Sequence, residues 1–348
     1  MSTIPAVTNR SERTFFGHPA GLSTLFFTEF WERFSYYGMR ALLVLYLVAP
    51  PDGTTPPGPG LGLDTSTASA IYGTYVALVY LFPLLGGWIA DRLWGFRRAV
   101  LVGGIVIAGG HYCMAMPTEI TFWIGLLLIA LGTGLLKPNI SAMVGELYHD
   151  DDAKRDAGFS VFYMGINLGA FVAPLVTGYL MDAHGWHWAF GAAALGMTFG
   201  VIQYVLGGRK TLHGIGLNVP NPASAKEKRA FFLIVFGSVG AIVAVSLIRA
   251  AIWGFDITDL VDILAVFILI VPVVYFVKMF RTPGLSGEQK GRLHAFLGLF
   301  LGAAIFWMIY DQAGSTLSVF AEEKTDLTVG SFTIPVPWLQ SINPIFII

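Results

Sequence analysis

Charge is scarce in this sequence. Asp, Glu, Lys and Arg make up 12% of its 348 residues, against about 25% in an ordinary soluble domain. With 55% hydrophobic residues and a mean hydropathy of +0.67, that scarcity reads as an integral membrane protein. Cysteine is rarer still: Cys113 stands alone, which excludes an intramolecular disulfide and any cysteine-based metal site. Nor is there an excess of positive charge, and a net charge of −1 with a pI near 6.7 argues against a nucleic-acid partner. Walker loops, GxSxG, HExxH and zinc-type cysteine patterns are all missing, so the chain is read neither as an enzyme nor as an ATP-driven pump, and no cofactor is called for. His184 and His187 near Asp182 have a metal-like spacing but no further ligands, and no metal site is read there. His111 is read as a packed, hydrogen-bonded core histidine. Residues 1–20 are polar and lack the apolar core of a signal peptide, and the first apolar run is too long and too charged to be one.

Long apolar runs are what the sequence does have. Taking roughly 18–20 residues per membrane span, helices are expected near 21–49, 70–91, 98–116, 120–147, 158–181, 188–207, 229–250, 260–280 and 292–318, with another opening near Pro337. Runs of this length exclude transmembrane strands. Of the 21 lysines and arginines, 16 fall in alternate inter-helix segments that include the N-terminus. That asymmetry places those segments, and the N-terminus, in the cytoplasm. The expected organisation is a cytoplasmic segment 1–20, a six-helix bundle 21–207, a Gly/Pro/Lys-rich linker 208–228, two further helices 229–281, and 282–348 as the start of a second bundle. The 50–62 loop is rich in Pro and Gly and is expected to be irregular.

The first helix carries the clearest pattern. Glu29, Glu32, Arg33, Tyr36, Tyr37 and Arg40 fall at i, i+3, i+4, i+7, i+8 and i+11. At 100° per residue they occupy one stripe about 140° wide. Trp31, Phe34 and Met39 lie outside it, free to face lipid or neighbouring helices. Charges inside a membrane are costly unless they face protein or water, so the stripe reads as one wall of a polar cavity. Carboxylates beside an arginine there point to protons as the coupling ion. Lys137, mid-way along the fourth helix in GLLKPN, is too deep to reach the interface and is expected to point into the same cavity toward a carboxylate or an anionic ligand. Pro138 frees a backbone carbonyl beside it. Asn167 lies among small residues on the fifth helix, where interhelical hydrogen bonding and ligand contact are equally open readings. Trp307 and Asp311, four apart, share a face of the ninth helix. Asp91 and Arg92, in GGWIADRLWGFRR between the second and third helices, read as structural or conformational residues rather than ligands.

Together these residues resemble the proton-dependent oligopeptide transporters, a branch of the major facilitator superfamily. The resemblance rests on ExxERFxYY (Glu29 to Tyr37), GGWIADRLWG (Gly86 to Gly95), GLLKPN (Gly134 to Asn139), FSVFYMGINLGAF (Phe159 to Phe171) and QSINP (Gln340 to Pro344). It implies an all-α polytopic protein of two six-helix bundles, with two helices inserted between them in bacterial members. It also implies symport of di- and tripeptides with protons across the bacterial inner membrane by alternating access. Carried over, Glu29, Glu32 and Arg33 form the proton-coupling cluster. Tyr36, Tyr37, Arg40, Tyr75, Lys137, Asn167, Trp307 and Asn343 line the peptide site, where Arg40 and Lys137 meet the peptide carboxylate. Arg40 and Asp311, each about 28 Å along its helix at 1.5 Å per residue, form an outer gate between the bundles.

Three features depart from the family pattern. The second helix has no histidine, so coupling rests on carboxylates, and Asp311 stands where a longer glutamate is expected. The sequence also ends about twelve residues after Pro337, fewer than a bilayer crossing requires. The family's last four helices, and with them the carboxylate for the peptide amine, are therefore expected to be missing, leaving a truncated chain or one that does not transport alone. The rival readings are a transporter of another solute, such as nitrate or a peptide-like drug, and a non-transporting sensor or assembly subunit.

Overall fold

A computed structural model describes residues 14–53, 57–148, 153–254 and 256–348. Arg10, Arg13, most of the 1–20 segment and the middle of the 50–62 loop lie outside the described residues. A two-residue hairpin, β1 (Thr14–Phe15) with β2 (His18–Pro19), leads into α1 (Gly21–Val48). Next come α2 (Thr65–Ile89), α3 (Phe96–Ala115), α4 (Glu119–Glu146), α5 (Arg155–His184), α6 (Trp186–Thr211), α7 (Ala225–Trp253), α8 (Ile257–Phe280) and α9 (Gly287–Tyr310). The chain closes with α10 (Thr316–Lys324), a hairpin of β3 (Thr328–Val329) and β4 (Phe332–Thr333), a 3-10 turn Val336–Ser341 and α11 (Ile342–Ile347).

Eight helices among the described residues are long and apolar enough to cross a membrane. With its 28 residues α1 is long enough as well, but its polar stripe puts at least three charges into any stretch of 18 residues. Charged helices survive in a membrane only when surrounded by protein, and α1 buries 22 of its 28 residues. It packs against α5 and α6, while α3 packs on α4 and α6, and α2 on α4. Phe34 and Met39 are buried against these neighbours, and Trp31 covers Gly196 and Gly200 of α6. One apolar cluster, around Leu22, Leu25, Ile140 and Met197, fills the end of the bundle where α1 starts. Another, around Met39, Leu43, Tyr46 and Phe122, fills the opposite end. The polar stripe lies between the two.

Two sequence motifs meet on the seam between α2 and α4. Pro138 cannot donate to the Gly134 carbonyl one turn back, and that oxygen lies against Gly86, where a Cβ would come within 2.0 Å of it. The Asn139 amide donates to the Gly86 carbonyl at 3.2 Å and to the Leu135 carbonyl at 2.6 Å. A glycine at 86 is therefore needed for backbone approach, and α4 runs unbroken through Pro138. After Ile89 the helix widens into a π turn, Ala90–Trp94, and Gly95 reverses the chain at φ +77°, a conformation that favours glycine.

Between α6 and α7 the chain forms a strap over the α2–α3 turn. Asn221 and Ala223 donate their backbone N–H groups to the Asp91 and Arg92 carbonyls, the Asn221 amide donates to both Asp91 carboxylate oxygens, and the Gly216 carbonyl accepts from the Arg97 N–H. Ser224 and Glu227 form a capping box at the start of α7, and Glu227 also pairs with Arg92. Trp88 stacks on Phe231 at 3.8 Å and 6°, and α8 packs against α2.

The ninth helix departs from expectation. Instead of running from 292 to 318, α9 begins at a Ser286–Gln289 capping box and stops at Tyr310, a 3-10 turn takes Asp311–Gly314, and α10 restarts at Thr316. The cause is close approach: Gly314 sits where a Cβ would fall 2.1 Å from the Tyr72 hydroxyl and 3.1 Å from Arg40 Nε. Helices α2 and α5 also start earlier than hydropathy indicates, at Thr65 and Arg155, because their first turns are polar. Asp64 caps α2 by accepting from the Thr67 N–H at 3.0 Å.

Candidate functional site

The stripe on α1 becomes a chain of ion pairs and ring contacts. Glu29, Glu32 and Arg33 are almost fully buried. The Arg33 guanidinium grips Glu32 with two donors, Nε to Oε2 and Nη2 to Oε1, the latter at 2.6 Å. Such a fork matches carboxylate geometry and is among the stronger hydrogen-bond arrangements. The same Nε stands 3.3 Å from Glu29 Oε1, a looser contact, and Glu29 Oε2 has no hydrogen-bond partner among the described residues. The guanidinium carbon also lies 4.9 Å from the Tyr36 ring centroid and 5.9 Å from that of Tyr37. Without a side chain at Gly169, α5 lies directly on Phe30 and Arg33 and covers the back of the cluster.

Two turns further along, Arg40 Nη2 donates to Asp311 Oδ1 at 2.7 Å, and Nε donates to the Tyr72 hydroxyl at 2.5 Å. This joins α1 and α2 to the turn after α9. Around it, Trp338 Nε1 donates to the Leu175 carbonyl and the Ser341 hydroxyl to the Phe171 carbonyl, so the 3-10 turn is held on α5. The end of the bundle away from the basic loops is thus closed.

Below this closure lies a cavity of ≈560 Å³. Among the sequence-predicted residues, Glu29, Arg33, Tyr37, Arg40, Lys137, Asn167, Trp307 and Asn343 line it. Glu32, Tyr36 and Tyr75 do not: they are buried behind the wall, at 0%, 4% and 3% exposure. Asp311 holds Arg40 at its edge. Lys137 Nζ sits 4.8 Å from the Tyr80 ring centroid and has no carboxylate within 4 Å among the described residues. The Asn167 amide donates to the Tyr163 carbonyl at 3.0 Å, and Tyr310 donates to Asn343 Oδ1 at 3.1 Å. Because Arg33 and Arg40 already hold carboxylates, Lys137 is, among the described residues, the cavity cation left to receive an anionic group. Asp91 and Arg92 lie away from the cavity, under the strap, and Pro138 lies on the α2–α4 seam.

Sequence reading missed Tyr72, Tyr80 and Tyr310. Tyr72 and Tyr80 are eight apart on α2 and face the α1 stripe. That i, i+8 spacing was the available signal; Tyr75, between them, is buried behind the stripe near Tyr36 and Glu32. His111 is fully buried as expected, but neither ring nitrogen has a hydrogen-bond partner among the described residues. His187 Nδ1 lies 3.2 Å from the Met114 carbonyl.

The PTR2 profile, described as the POT family, matches residues 97–348. The chain belongs to the POT family. It is 46% identical over 339 residues to the "Uncharacterized transporter YclF" of Bacillus subtilis (strain 168), covering 97% of this chain and 67% of that protein. It is 43% identical over 346 residues to a "Di-/tripeptide transporter" of Lactococcus lactis subsp. cremoris, covering 98% and 69%. A solved peptide transporter POT in complex with sulfate superposes with a TM-score of 0.88 at 45% identity, covering 97% of this chain and 68% of that one. This POT-family chain therefore spans about two thirds of the length of these relatives. It is a multi-pass membrane protein.

Proposed function

We propose that this protein is a proton-coupled importer of di- and tripeptides in the bacterial inner membrane, with its N-terminus in the cytoplasm. The observation that carries the reading is Lys137, a cation without a carboxylate partner, in a cavity that a buried carboxylate, Glu29, also lines. A peptide carboxylate supplies the partner that Lys137 lacks, and Arg40, across the cavity on α1, adds a second cation. Tyr37, Asn167, Trp307 and Asn343 give the cavity the mixture of rings and amides that suits a peptide backbone of varied sequence.

Glu29 and Glu32 take different parts. Glu32 is locked by two donors of Arg33 and is shut away from the cavity, so it keeps Arg33 in place. Glu29 makes the looser contact, has a free oxygen and faces the cavity, so it is the residue that exchanges a proton with solvent. When Glu29 takes up the proton, its hold on Arg33 is released and the charge balance of the cavity changes by one unit. The Arg40–Asp311 pair acts as the outer gate, which is shut in this arrangement. Opening it requires that pair and the Arg40–Tyr72 hydrogen bond to part, and closing the cytoplasmic side completes alternating access.

Uptake of labelled dialanine into proteoliposomes holding the protein tests this directly. Accumulation above equilibrium is expected only with the outside acidic. Equal uptake with and without the gradient would remove proton coupling. No peptide uptake in either condition, with nitrate or a peptide-like drug accumulating instead, would reassign the cavity.

A further inference from the structure

A second cavity, of ≈460 Å³, opens at the basic end of the bundle between the start of α3 and the end of α6. Arg97, Arg98 and Arg209 line it together with Trp94 and Tyr204, and among the described residues no carboxylate does. Arg97, Tyr204 and Arg98 have fixing contacts. Arg97 Nη1 donates to the Leu212 carbonyl at 3.0 Å, and the Tyr204 hydroxyl donates to the Arg97 carbonyl at 3.1 Å. The Arg98 guanidinium carbon lies 5.4 Å from the Trp94 ring centroid. Arg98 and Arg209 are exposed and form no ion pair among the described residues. Three guanidiniums around one hollow suit a phosphate, whose oxygens accept several such donors at once.

The same faces of the two helices continue as an apolar track. From Arg98, positions 101 and 105 on α3 are Leu and Ile, and from Arg209, positions 206, 205 and 202 on α6 are Leu, Val and Ile. Ile105, Ile202 and Leu206 are about half exposed, at 54%, 49% and 56%. Further on, the Tyr112 and Thr198 hydroxyls meet at 3.0 Å and tie α3 to α6. From Arg98 to Tyr112 is roughly 21 Å of helix, enough to cross the half-thickness of a hydrocarbon core of about 30 Å. A free phosphate uses only the basic end of this surface, whereas a phospholipid uses all of it. We propose that this cavity binds the phosphate of an anionic phospholipid, whose acyl chains lie in the groove between α3 and α6. Basic pockets between helices on the cytoplasmic side are suited to such headgroups.

The test is photo-cross-linking of the full chain in phosphatidylcholine vesicles doped with a phosphatidylglycerol carrying a photoactivatable acyl chain. Mass spectrometry should place the adducts on peptides spanning 101–105 and 202–206. Unlabelled phosphatidylglycerol should compete, while phosphatidylcholine and 10-fold higher inorganic phosphate should not. In the double variant Arg98→Gln, Arg209→Gln the competing concentration should rise about 30-fold, because each basic side chain near an anionic surface contributes about 1 kcal/mol and 1.4 kcal/mol is tenfold. Both side chains are exposed, and thermal unfolding of the variant checks its fold. Should it not fold, the adduct positions in the unmodified chain decide alone. Adducts elsewhere, equal competition by phosphatidylcholine, or an unchanged double variant would overturn the proposal. Displacement by inorganic phosphate at the lipid's own concentration would overturn the lipid and leave a site for free phosphate.

Discussion

In the gate proposed above, closure depends on the missing side chain at Gly314, and Gly314→Ala is the sharpest way to test it without touching a charge. The added Cβ would fall 2.1 Å from the Tyr72 hydroxyl and 3.1 Å from Arg40 Nε. Tyr72 is 2% exposed and has little room to swing aside. The Asp311–Gly314 turn must therefore retreat by about 1 Å or more to reach ordinary van der Waals separation. That stretches the 2.7 Å Arg40–Asp311 contact beyond the 3.2 Å limit of a good N–H···O bond. A hydrogen bond between charged groups contributes about 1.5–3 kcal/mol; with the Asp311 side chain 20% exposed, screening lowers this to about 1–2 kcal/mol. The closed state should then lose roughly 5- to 30-fold in population. Spin labels at Ala49→Cys and Lys324→Cys in a Cys113→Ala background report the separation by double electron–electron resonance. Gly314→Ala should move the distance distribution toward the longer, outward-open component, and Asp311→Asn should do the same. An unchanged distribution in Gly314→Ala would refute this account of closure.

Three further outcomes are expected. Lys137→Gln should abolish dipeptide binding measured by calorimetry, and Lys137→Arg should restore little of it, since a planar fork places its donors differently from an ammonium; wild-type affinity in Lys137→Gln would make this lysine a structural ion. Glu29→Gln should abolish gradient-driven uptake while leaving peptide counterflow, whereas Glu32→Gln should also lower thermal stability by about 3 kcal/mol, because breaking a buried pair leaves Arg33 under-compensated; accumulation against a gradient in Glu29→Gln would remove it from the coupling step. His111→Leu should stabilise the protein by about 1–3 kcal/mol in a detergent melt, by replacing two unpartnered buried nitrogens with an apolar side chain, and a lower melting temperature would show that the imidazole has a partner.

The polar stripe on α1 was legible from sequence because a straight helix turns spacing into direction, and six polar residues on one face have few places to go. Helix existence was legible for the same reason that a membrane is: it demands long apolar runs. The features that stayed hidden depend on contacts between segments far apart in the chain. The break at 311–314 comes from the approach of Gly314 to Tyr72, more than 240 residues away. The placement of Tyr75 behind the wall, and of Tyr80 on it, turns on how α2 is rotated against α1, and a helix rich in apolar residues all round leaves that rotation open. Helix starts at Thr65 and Arg155 were hidden by polar first turns, which hydropathy discounts and capping rewards. The strap over Asp91 and Arg92 was invisible because it joins segments about 130 residues apart, in part through backbone donors that every residue possesses.

The strap also determines where the molecule can bend. Residues 212–224 are fastened to the α2–α3 turn, α7 is fixed through Arg92 and Phe231, and α8 lies along α2, so the first eight helices move as one lever. The segment at 208–228, a flexible tether by its composition, has no slack to give. Covalent freedom instead falls to the short turn from Arg281 to Ser286, where Gly284 adopts φ +81°. Any rocking of α9, α10 and α11 against the first bundle turns on that pivot, and lengthening it should loosen the machine far more than lengthening the longer loop before α7.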